Sequence, residues 1–62
     1  MFQYGVLIAA EHEGEEGYAL YEYPVHGLDT ALESYKKLVK MYPSKKFKLV
    51  RIEYKEMEVL DT

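Results

Sequence analysis

Sixty-two residues without a cysteine exclude a disulfide scaffold, a thiolate zinc site and a second domain. The net charge of −3 hides a segregation: residues 1–34 hold seven acids and no Lys or Arg, while residues 35–62 hold eight bases and four acids. No apolar run reaches the ~18 residues of a membrane span, and the start lacks the basic region of a signal peptide, so the expected setting is soluble and cytoplasmic.

Residues 2–13, FQYGVLIAAEHE, begin as a strand. Phe2, Tyr4, Val6, Ile8 and Ala10 share one parity, and Gln3, Gly5, Leu7, Ala9 and Glu11 the other. The run VLIAA is apolar on both, which fits a central strand. Residues 13–17, with two glycines and three acids, suit a solvated hairpin loop. Residues 17–25 return as a second strand, with Pro24 at its end or on an edge. A four-residue loop over 13–16 sets Ile8 opposite Tyr21, Val6 opposite Tyr23 and Ala10 opposite Ala19. Val6, Ile8, Ala10, Ala19, Tyr21 and Tyr23 then share an apolar face, and Leu7, Ala9, Glu11, Tyr18, Leu20 and Glu22 the opposite one.

Residues 28–42 form the organising helix. Leu28, Ala31, Leu32, Tyr35, Leu38, Val39 and Tyr42 make one stripe at helical spacing, with Asp29, Glu33, Lys36, Lys37 and Lys40 opposite. Gly27, Asp29 and Thr30 compete as N-cap, Thr30 with Glu33 matching a capping box. Pro43 ends the helix. Residues 47–60 read as a third strand in which Val50, Ile52 and Tyr54 face the helix. The apolar parity then switches to Met57 and Val59, through a bulge near Lys55 and Glu56 or a tail that leaves the sheet.

The expected fold is therefore α+β over a single domain of residues 1–62: a three-stranded antiparallel sheet, ββαβ in the order 2-1-3, with one amphipathic helix packed on one face. Nothing in the chain covers the other face. Leu7, Ala9, Tyr18, Leu20, Leu49 and Arg51 are expected there as an apolar centre with a charged rim, the composition of a self-association surface. The acids Glu11, Glu13, Glu15, Glu16 and Glu22 form an acidic pole suited to a basic partner.

No nucleophile motif, phosphate-binding glycine loop or metal-ligand spacing occurs, so neither catalytic residue, cofactor nor metal is expected. The acidic hairpin with His12 lacks the regular spacing of a calcium loop. The chain reads as a non-enzymatic protein-interaction domain, homodimeric through the open sheet face or by strand addition at the 55–60 tail, an accessory or inhibitory protein directed at another protein. The alternative is a nucleic-acid-binding module using Lys36, Lys40, Lys45 and Lys46 against phosphates. The negative net charge and the single arginine weigh against it.

Overall fold

A computed structural model describes residues 1–61 of the chain. Strand β1 is Gln3–His12, β2 Glu15–Leu20, helix α1 Leu28–Met41, β3 Phe47–Glu53 and β4 Glu56–Leu60. The strands form one antiparallel sheet in the order β2-β1-β3-β4. The expected one-helix α+β architecture and the 2-1-3 order of its first three strands hold. The expected count of three strands is corrected to four, and ββαβ to ββαββ.

The added strand comes from a tight turn. Tyr54 and Lys55 alone separate Glu53 from its partner Glu56, and Tyr54 takes the left-handed φ of 56°. A two-residue hairpin makes paired positions sum to an odd number, so apolar residues must change parity across it. That is the switch from Val50 and Ile52 to Val59 and Met57, which pair with them in turn. Neither a bulge nor a departing tail is needed.

The first hairpin is also tighter than a four-residue loop. Glu13 and Gly14, at φ 52° and 83°, both take the positive angles that a two-residue type I′ turn requires. His12 thus pairs with Glu15, and Ile8 with Ala19 rather than Tyr21. The shift is two residues, an even step, so the division of β1 and β2 into faces survives it.

Beyond Leu20 the chain swells away from β1. The Tyr21 N–H donates to the Val6 carbonyl at 2.9 Å, and Tyr4 and Val25 exchange hydrogen bonds of 2.6 and 2.8 Å. The chain takes four steps from Tyr21 to Val25 while β1 takes two from Val6 to Tyr4. The surplus bulges at Glu22–Pro24, where proline has no N–H to lose. Tyr23 is expelled to 94% exposure, so its expected place on the core face is corrected. Tyr54, at a turn tip and 100% exposed, is corrected likewise.

Helix α1 lies on the face of Tyr4, Val6, Ile8, Phe47, Leu49 and Leu60. Ala31 and Leu38 are its buried residues, sealed against Val6, Phe47 and Leu49, with Leu32 and Tyr35 half-buried beside them. Burial of a leucine such as Leu38 contributes about 1.5–3 kcal/mol. Tyr21 meets Phe47 edge to face at 6.1 Å, the favoured geometry for two rings. Gly27 is the N-cap and makes no side-chain hydrogen bond. Thr30 therefore lies inside the first turn, and the capping box is not the start signal. At the other end the Tyr42 N–H donates to the Leu38 carbonyl at 2.9 Å, and Pro43 cannot continue the ladder.

Candidate interaction surface

The face of the sheet turned away from α1 is assembled by the three strand registers. Cross-strand partners share a face. Leu7 lies opposite Leu20, Ala9 opposite Tyr18 and Glu11 opposite Glu16. Gly5 lies opposite Val50, Gln3 opposite Ile52 and Leu7 opposite Lys48. Met57 and Val59 extend the rows of Ile52 and Val50 onto β4.

Gly5 is the centre of this surface. A Cβ placed there would lie 3.2 Å from Leu20 Cδ2, 3.7 Å from Ile52 Cδ1 and 3.9 Å from Pro24 Cα. The missing side chain lets Leu20, Ile52 and the bulge close inward, and Val50 beside it is 0% exposed. Around this small second core, Tyr18, Leu20, Met57 and Val59 remain exposed. Lys48 reaches over the Tyr18 ring, its Nζ 4.2 Å from the centroid, a cation–π contact with one row of the sheet.

Of the residues expected on this face, Leu7, Ala9, Tyr18 and Leu20 are brought together. Leu49 and Arg51 are not. They lie opposite Val6 and Tyr4, which puts Leu49 in the core under α1 and Arg51 on the same side of the sheet. Arg51 pairs with Glu58 there and covers the Phe2 ring at 4.6 Å. The expectation that Val50 and Ile52 face the helix is reversed with it. β3 is apolar on both parities, and alternation alone does not say which parity meets the helix. Lys48, Val50, Ile52, Met57 and Val59 are the residues missed on the open face, and the parity change after Ile52 is the signal that finds the last two.

Four of the five expected acids collect at one end: Glu11 and Glu16 form a like-charged pair on the open face, Glu15 lies opposite His12 and Glu13 is in the turn. Glu22 does not join them, because the bulge that holds it lies beside Tyr4–Val6, toward the other end of β1. All five are exposed. Among the described residues the one ion pair is Arg51 with Glu58, so these acids have no ionic partner there. A group of His and acids able to hold a metal is not found among the described residues.

The basic turn after the helix sits beside this acidic end. The Ala9 N–H donates to the Lys46 carbonyl at 2.9 Å, extending the β1–β3 ladder past Phe47. An open cleft of about 540 Å³ results, lined by Glu11, Glu16 and Tyr18 on one side and Ser44, Lys45 and Lys46 on the other. The two charge poles read from the sequence are thus neighbours. Lys36, Lys37 and Lys40 are exposed on α1.

Comparison with protein-family models, curated proteins and solved structures gives no match to this chain. No helix of the described residues is long and apolar enough to cross a membrane.

Proposed function

We propose that the chain is a small non-enzymatic protein-interaction domain that works as a homodimer and binds a second protein through its acidic hairpin. The observation that carries this reading is the open sheet face, where Tyr18, Leu20, Met57 and Val59 stand exposed around buried Val50. An apolar sheet face of this kind, rimmed by charge, is suited to another protein surface. A core as small as this one also gains stability from further burial. The hairpin acids Glu11, Glu13, Glu15 and Glu16 would then engage a basic surface, as an accessory or inhibitory protein would, without Glu22, which lies toward the other end of β1. The nucleic-acid reading of Lys36, Lys40, Lys45 and Lys46 has less support, because Lys45 and Lys46 share their cleft with Glu11 and Glu16.

Light scattering over a dilution series, on wild type and Leu20→Glu, tests self-association. The expected result is a dimer that the substitution dissociates; a wild-type monomer throughout would remove the homodimer from the reading. For the acidic hairpin, wild type should be retained on an immobilised Lys/Arg-rich peptide in a salt-sensitive manner and Glu13→Lys/Glu15→Lys should not. Equal retention of both proteins would refute that role.

A further inference from the structure

We infer that the open face is covered by a second copy of this chain, packed sheet on sheet about a twofold axis that runs along the strands. The inference rests on the self-association reading above, adds its geometry and, by taking Glu11 and Glu16 into the dimer, leaves Glu13 and Glu15 of the hairpin to meet a second protein. Two classes of axis can bring identical sheets face to face: one along the strands, which keeps their ends together, and one across them, which exchanges the ends.

Charge selects between the two. Glu11 and Glu16 occupy β1 and β2 at one end of the open face. Lys46, just before β3 and beside Ala9, occupies the neighbouring strand line at that same end, with Lys48, opposite Leu7, nearer the middle. Because the sheet order is β2-β1-β3-β4, an axis along its midline lays β1 over the partner's β3 and β2 over the partner's β4. Glu11 then lies over the partner's β3 line near its Lys46, with Glu16 beside it on β2. An axis across the strands would carry the acids over the end that holds Ile52, where no base pairs with them, at the cost of desolvating charge.

The same operation is favourable for packing. The exposed Tyr18 and Leu20 of each β2 lie toward the partner's β4, which carries exposed Met57 and Val59, in the aligned packing of about −30° that sheets favour. Four strands about 4.8 Å apart and five to ten residues long give a face of roughly 300–600 Å² in projection, toward the ~800 Å² of accessible surface that a standard interface takes from each partner. Edge-to-edge joining is less suitable: full-length antiparallel pairing of β4 with its copy would set Glu58 against Glu58.

Two measurements on the full chain test this. In the first, Glu11→Lys/Glu16→Lys and Lys46→Glu/Lys48→Glu are weighed separately and as an equimolar mixture. Each alone should dissociate at least tenfold more readily than wild type, and the mixture should recover the wild-type mass, since every crossed contact is again between opposite charges. In the second, which does not depend on the charge variants folding, a nitroxide is attached to Glu13→Cys, the single thiol of a cysteine-free chain. Spin–spin distances of about 15–20 Å across the dimer are expected when the two hairpin tips share an end, against more than about 40 Å when the ends are exchanged.

A wild type that is monomeric at every concentration would overturn the homodimer and this geometry together. A wild-type dimer with distant labels, or with folded charge variants that do not recover on mixing, would overturn the geometry alone.

Discussion

Leu49 and Val50 are consecutive residues of β3, and both are sealed from solvent, on opposite faces of the sheet, at 2% and 0% exposure. Leu49 is covered by the core under α1. Val50 has no such layer above it and is closed by its own sheet, where the missing Cβ of Gly5 lets Leu20 and Ile52 converge. Stability should therefore depend on both faces. Leu49→Ala should cost about 2–5 kcal/mol and Val50→Ala about 1–3 kcal/mol in urea unfolding at high dilution. A Val50→Ala change within error of zero would mean that the open face contributes nothing to the fold.

Gly5 itself should distinguish size sharply. Alanine brings a Cβ to 3.2 Å from Leu20 Cδ2, the end of an exposed, flexible side chain that can move aside. Gly5→Ala should change stability by less than about 1 kcal/mol, while Gly5→Val, whose branches also meet Ile52 and the Pro24 backbone, should cost about 2 kcal/mol or more. Thermal melts of the two variants side by side make the comparison.

Tyr54 holds a left-handed backbone at φ 56° while its ring is fully exposed. An aromatic residue gains nothing there to offset the steric cost. Tyr54→Asn should raise stability by about 1 kcal/mol, since asparagine tolerates this conformation. Gly14→Ala, at φ 83° with open space around it, should lower stability by a similar ~1 kcal/mol for the reciprocal reason. Opposite shifts in melting temperature are the expected pair of results.

Both hairpins set acid against acid next to or near their turns, Glu53 opposite Glu56 and Glu11 opposite Glu16. Like charges directly opposite each other are unfavourable. Glu56→Lys should stabilise the chain by about 0.2–1 kcal/mol at low ionic strength, with the gain shrinking toward zero in ~1 M salt. Melting curves at two salt concentrations read the difference.

What the sequence made legible follows from parity. The stripe of α1 and the division of β1 and β2 into faces could be read directly, because a two-residue error in hairpin length leaves every side chain on its own side. The length itself could not, since Glu13 is an unremarkable residue at a left-handed angle and only Gly14 announces the turn. β4 was hidden for the same reason: neither Tyr54 nor Lys55 is a turn residue, and the backbone there is bent by pairing on both sides. The helix-facing parity of β3 was undetermined in principle, as Phe47 and Leu49 compete with Val50 and Ile52. With Leu49 and Arg51 went a third of the expected self-association set, while Leu7, Ala9, Tyr18 and Leu20 were recoverable from the β1–β2 hairpin.

The strand order has a consequence in time. β1 pairs with β2, and β3 with β4, across turns of two residues, and such hairpins close in about 1–10 μs. The middle of the sheet joins Gln3 to Ile52, with β2, the helix and the connections on either side of it in between. That long-range seam cannot zip until the intervening chain has been gathered in, at the entropic cost of closing a large loop. Two quick halves therefore wait on one slow encounter, and substitutions along the β1–β3 seam should slow folding more than equally destabilising changes at either turn.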